Sequence, residues 1–193
     1  QHGCSARECR FCVFDDLPFY GNLSVEEIVD IFRASLFLYS KIRPLQDDQR
    51  ILDLKFTDDG EPLENKNLTL AIDTLTKIFS IRSKKLLMKV SSIFRDNNTV
   101  EKTFDALCEW QEKNRARASI HLQISRPYSG ITFMSGTRLV ERIAQWKQSN
   151  PLDTVCITPG LSRGFDPESL YDFCNDLRLI ARDIFFRIAV IKP

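Results

Sequence analysis

Three cysteines, Cys4, Cys9 and Cys12, fall in a C-x4-C-x2-C pattern near the start of the chain, among Gly3, Ser5 and charged residues, with no apolar periodicity before the third thiol. Such a segment is a loop able to wrap a metal. Three thiolates on a [4Fe-4S] cube leave one iron without a protein ligand, open to chelation by a small molecule bearing amino and carboxylate groups. Zinc is the alternative: it normally takes four ligands, and His2 would be the fourth. Cys108, Cys156 and Cys174 are scattered through apolar segments and read as core thiols, although Cys156 could also face a reaction site from its strand.

A second segment with chemical potential is Asp58-Asp59-Gly60-Glu61-Pro62-Leu63. Glycine lets a backbone approach a ligand closely, proline stiffens the turn, and glutamate accepts hydrogen bonds from an ammonium. Alone, this is also an ordinary turn. Ser91 and Ser125 end predicted strands and could bond ribose hydroxyls or a carboxylate, or simply cap their strands. Arg126 could clamp an anion, and His121 shares a strand face with Gln123 and Ser125.

The elements that must position these groups alternate. Ser24 followed by Glu27, with Ile28, Ile31, Phe32 and Leu36 at helical spacing, predicts a capped helix over 25–40. Strands are predicted over 50–56, 86–90, 119–125, 154–158 and 185–191, and further helices over 67–79, 99–113, 137–148 and 167–182. Strands separated by helices imply right-handed crossovers and a parallel sheet, open or curled into a barrel, with the chemistry at the C-terminal strand ends. Trp110 and Trp146 read as packing residues.

At 193 residues with 14 Phe, one globular domain over 1–193 is expected. Basic and acidic residues nearly cancel, 27 against 26, so composition demands neither DNA nor an anionic membrane as partner. The chain has no apolar run of membrane-spanning length and no signal-peptide pattern, so a cytoplasmic protein is expected. The opening Gln, with the cysteine motif three residues in, leads us to expect a chain trimmed at one or both ends.

Gly3-Cys4 and Cys9-Arg10-Phe11-Cys12 together resemble the signature of the radical S-adenosylmethionine (SAM) superfamily, with one more residue between the first two cysteines than is usual there. Gly60-Glu61-Pro62 resembles the family's segment whose backbone and glutamate receive the SAM ammonium, and Val90-Ser91-Ser92 and Gln123-Ile124-Ser125 resemble its later strand ends. The branch most similar in order and spacing methylates carbon 2 of adenosine in ribosomal RNA, matched also at Asn22-Leu23-Ser24, Glu27-Ile28-Val29 and Ile188 to Ile191. The resemblance implies a partial (β/α)6 barrel of TIM type with its first strand preceding the cysteine loop. It implies a [4Fe-4S] cluster on Cys4, Cys9 and Cys12, Phe11 against the adenine, and SAM held by Gly60, Glu61, Ser91 and Ser125. An electron donor such as flavodoxin or ferredoxin would reduce the cluster, and the radical product would modify a substrate, an RNA base being the first candidate. The two cysteines that carry the methyl group in that branch are not in this sequence. Radical maturation of a peptide or small metabolite, and a non-catalytic metal-binding domain on the same fold, stay open as alternatives.

Overall fold

A computed structural model describes residues 19–42, 51–56, 60–79, 85–126, 134–150, 155–161, 167–180, 184–186 and 189–190. Helix α1 (Val25–Ile42) precedes strand β1 (Ile51–Phe56), a single 3₁₀ turn (Pro62–Glu64) and helix α2 (Leu68–Phe79). Then come β2 (Lys85–Ser92), α3 (Asn98–Asn114), β3 (Ala118–Arg126), α4 (Gly136–Ser149), β4 (Val155–Leu161) and α5 (Pro167–Ile180). Two short strands, β5 (Phe185–Phe186) and β6 (Ala189–Val190), complete the order.

The first helix begins where its sequence says it should. The Ser24 N–H donates to Glu27 Oε2 at 2.8 Å and the Glu27 N–H donates to Ser24 Oγ at 3.2 Å, a reciprocal capping box. Ser24→Ala removes one arm of it and is expected to lower stability by about 1 kcal/mol, read as a shifted urea midpoint at constant m-value. The helix turns Ile28 and Val29 inward, while Ile31, which we expected on the apolar face, is half exposed beside a cleft.

All strand pairings are parallel, and the order β1-β2-β3-β4-β5 follows the chain, with β6 continuing the pairing on β4. Right-handed crossovers between consecutive neighbours put every connecting helix on the same side. Consecutive helices accordingly touch one another, α1 with α2, α2 with α3, α3 with α4 and α4 with α5. The sheet is thus singly wound. Among the described strands it does not close, so the structure shows an open parallel α/β sheet.

Because side chains alternate along a strand, each strand sends one set of residues toward the helices. That set is Leu54, Leu86, Met88, Val90, Ala118, Ile120, Leu122, Ile124, Val155 and Ile157, all buried. At roughly 1.5–3 kcal/mol for each large apolar side chain removed from water, this layer dominates the driving force for folding. Opposite it lie Leu68, Ile72 and Leu75 of α2, Phe104 and Leu107 of α3, and Ile143 and Trp146 of α4. Phe94, Phe104 and Trp146 form an aromatic run with centroids 5.2 and 5.9 Å apart. Trp110 is also buried, and its indole N–H donates to Asp73 at 3.0 Å, so both tryptophans are packing residues.

Helices α3 and α4 are tied by an ion-pair network not foreseen from the sequence. Glu101 bridges Arg138 at 2.8 Å and Arg142 at 3.1 Å, and Arg142 also reaches Asp105 at 2.8 Å while its guanidinium lies 4.8 Å from the Phe104 ring centroid. Arg142 is only 13% exposed at the side chain, so its pairing and stacking count for more than a surface ion pair's.

The other sheet face is different in kind. Register places Lys55, Lys89 and His121 side by side, and one step further along the strands Ser91, Gln123 and Cys156. Among the described residues no helix covers this face.

Candidate functional site

The segment Gly60–Asn67 follows the C-terminal end of β1 and is bonded to the chain just beyond β2. Gly60 takes φ of 134°, a backbone conformation that a side chain would strain, and it turns the chain sharply into the 3₁₀ turn. Glu61 caps that turn. Its Oε1 accepts from the Leu63 N–H at 3.3 Å, and Oε2 reaches across to accept from the Ile93 N–H at 2.8 Å beyond β2. The Ser92 hydroxyl bonds the same carboxyl group, while Ser92 Oγ accepts from the Phe94 N–H at 3.0 Å.

Glu61 is 2% exposed, and burial pushes its carboxyl up to about 7 from an ordinary value of 4.5, against the pull of Ile93, Ser92 and Leu63. The nearby Glu64 adds to the upward shift. Desolvation is the largest of these effects and sets the direction of the shift.

The following residues extend the tie. Glu64 Oε1 accepts from Arg95 Nη1 at 3.0 Å and from Asn97 Nδ2 at 2.8 Å. Asn97 in turn caps α3, its Oδ1 accepting from the Val100 N–H at 2.9 Å. Asn65 and Asn67 both donate to the Leu23 carbonyl, at 3.1 and 3.0 Å, and Asn22 donates to the Glu64 carbonyl at 3.0 Å. One short loop therefore joins the start of α1, the end of β1, the end of β2 and the start of α3. Asn97→Ala is expected to cost about 1–2 kcal/mol, since it removes the α3 cap and one of the donors to Glu64, and thermal unfolding measures it.

Backbone strain marks the same place. Phe94 has φ of 52°, unusual for a bulky side chain, and is held there by the Ser92 Oγ bond, by the Met134 N–H donating to its carbonyl at 3.1 Å, and by its ring packed on Phe104.

The predicted site residues separate as follows. Gly60 and Glu61 lie together at the β1 end, and Ser91 lies near the end of β2 on the same sheet face as Lys89 and Gln123. Ser92, its neighbour, points the other way and is the one bound to Glu61. Ser125 is buried near the end of β3, in register with Thr158 of β4, whose buried hydroxyl has no hydrogen-bond partner. Arg126 ends β3 opposite Pro159. Cys4, Cys9, Cys12 and Phe11 lie outside the described residues. Burial pushes the Cys108 thiol up to about 12 and raises that of Cys174, so neither is a thiolate at neutral pH. Among the described residues no group of His, Cys, Asp and Glu is arranged to hold a metal, and no helix is long and apolar enough to cross a membrane.

Beside the Gly60 turn, α1 and β1 enclose a mainly apolar cleft of about 250 Å³, lined by residues including Ile28, Phe32, Phe56, Gly60, Pro62 and Asn65. Sequence reasoning singled out Gly60 and Glu61 through the resemblance. The contributions of Ser92, Glu64 and Asn97 had no local signal, because each depends on a partner at least 30 residues away. No protein-family model matches the chain, and no curated protein matches it.

Proposed function

We propose that this protein is a radical SAM enzyme, its sheet a partial barrel whose C-terminal rim carries the SAM site. The reading rests on the cysteine pattern Cys4, Cys9 and Cys12 and on one structural observation: the Gly60-Glu61-Pro62 turn stands at the end of β1 and is bonded directly to the end of β2, on the same rim as Ser91 and Ser125.

The residues present suit the cofactors. Three cysteines within nine positions supply a thiolate donor set that leaves one iron free. At the rim, the Thr158 hydroxyl is a buried polar atom still wanting a partner next to Ser125, as a polar ligand would require. With cluster and SAM bound, the chemistry supplied is one-electron cleavage of SAM to methionine and a 5′-deoxyadenosyl radical that takes hydrogen from substrate.

In this proposal the chain's own residues bind and orient. Phe11 would lie against the adenine, and Ser91 and Ser125 would bond ribose hydroxyls or the carboxylate. The Glu61 carboxyl already serves Leu63, Ile93 and Ser92, so its part is to fix the turn, and the turn's backbone would receive the ammonium. Reduction would come from a donor such as flavodoxin or ferredoxin. Two substrate classes are compatible with the resemblance, an RNA base and a small metabolite or peptide.

The decisive experiment is anaerobic reconstitution with iron and sulfide, followed by dithionite and SAM. A cluster absorbance near the visible region and formation of 5′-deoxyadenosine are expected. Tight zinc binding with neither result would favour the non-catalytic metal-binding domain instead.

A further inference from the structure

The sheet face turned away from the described helices carries a row of basic groups with a single carboxylate, Asp53, beside it. Lys55, Lys89 and His121 occupy the same level of three adjacent strands, Lys55 paired in register with Lys89 and Lys89 with His121. Like charges directly opposite on neighbouring strands repel, and lysine is depleted from strand interiors. Lys89 and His121 are nevertheless half-buried in the two longest strands. The strands β2, β3 and β4 contain no Asp or Glu at all. The one carboxylate on this face among the described strands, Asp53, stands 3.9 Å from the Lys55 ammonium, and both of those side chains are about half exposed. Nothing described neutralises Lys89.

We infer that the row Lys55–Lys89–His121 binds the phosphate chain of a nucleotide-sized ligand. Neighbouring strands are about 4.8 Å apart, so three side chains span about 10 Å, the scale of a di- or triphosphate and longer than a single carboxylate. Lysine ammonium groups bind phosphate as point charges, and the imidazole adds a directed N–H. The next level toward the C-terminal rim is Ser91 and Gln123, neutral hydrogen-bonding groups suited to the uncharged part of the same molecule. The order along the face, cations first and amide and hydroxyl nearer the rim, sets the ligand's polarity: phosphates inward, the remainder toward Gly60 and Ser125. As a statement about substrate class this rests on the radical SAM reading; as a statement about anion binding it does not.

The test uses the full chain, with inorganic tripolyphosphate and ATP as probes, by calorimetry at low salt and without reductant. Both are expected to bind, more weakly as salt rises. Lys89→Gln, which keeps the stem and removes the charge, should weaken both by about tenfold or more, equivalent to at least about 1.4 kcal/mol. Lys89→Arg should retain most of the affinity, and Lys102→Gln, on the exposed side of α3, should match the parent chain. Thermal unfolding identifies any variant that fails to fold, and the arginine variant then carries the comparison through His121→Gln. Absence of binding, or equal binding by the Lys89→Gln and parent chains, overturns the inference. So does binding of a single-stranded RNA oligomer through Lys89 when neither probe binds. SAM cleavage measured on the same preparation separates the two proposals: cleavage without phosphate binding sinks only this one, and phosphate binding without cleavage sinks only the other.

Discussion

Acidifying the solution from pH 8 to pH 5 is expected to strengthen the fold through Glu61, against the usual direction for a carboxylate. In the folded chain burial raises this carboxyl to about 7, whereas an unfolded chain titrates it near 4.5. Between those values the native state holds more protons than the unfolded state. Stability from this group is therefore fully present below about 4.5, and is lost as pH rises through about 7. A displacement of this size corresponds to an order of magnitude of about 3 kcal/mol. Other carboxyls act in the opposite sense, Asp73 among them, held below its ordinary value by Lys77, so the informative quantity is a difference. Urea unfolding of parent and Glu61→Gln chains at pH 5, 6, 7 and 8 supplies it. The variant should lose the component that weakens toward alkaline pH; parallel pH profiles for the two chains would refute the assignment. Glu61→Ala goes further, leaving the N–H groups of Leu63 and Ile93 without their acceptor, and is expected to cost roughly 2–4 kcal/mol at pH 5, a difference that shrinks toward pH 8 as the parent's carboxyl ionises.

The second large effect concerns the thiols. Replacing Cys4, Cys9 or Cys12 singly by alanine is expected to abolish cluster assembly and reduce 5′-deoxyadenosine formation at least about a hundredfold, because each iron that loses its thiolate is lost from a three-ligand set with none in reserve. Cys108 cannot substitute, since its thiol is buried and stays protonated. Cys108→Ala and Cys174→Ala should therefore assemble the cluster normally. His2→Ala discriminates the alternative: unchanged cluster formation agrees with three-cysteine ligation, whereas loss of a bound zinc identifies a four-ligand site.

Much of the fold was legible because its signals are local. Periodicity located α2, with Leu68, Ile72 and Leu75 at helical spacing, and strict alternation located β3, where Ile120, Leu122 and Ile124 face the helices. The capping pair Ser24 and Glu27 fixed the start of α1. Ile31 is half exposed because it falls at the margin of the face formed by Ile28, Val29, Phe32 and Leu36, where it lines the cleft. The site was legible only in its first residue types. A glycine followed by glutamate and proline announces a turn, but nothing near Glu61 in sequence reveals that Ile93 and Ser92 supply its donors. Likewise, the side chains of Asn22, Asn67 and Asn97 are hydrogen-bonding struts in the Gly60–Asn67 hub, each with a partner more than 30 residues away. The row of Lys55, Lys89 and His121 could not be seen at all before the register was known.

The strand order has a consequence for how the chain acquires its structure. Ile51 pairs with Lys85, Leu86 with Ala118, Leu122 with Val155 and Cys156 with Phe185, so every pairing closes a chain segment of about 30 residues. Among the described strands no pairing joins distant parts of the chain. Each of these strands can add to a finished neighbour as it leaves the ribosome, so this part of the sheet grows in the direction of synthesis.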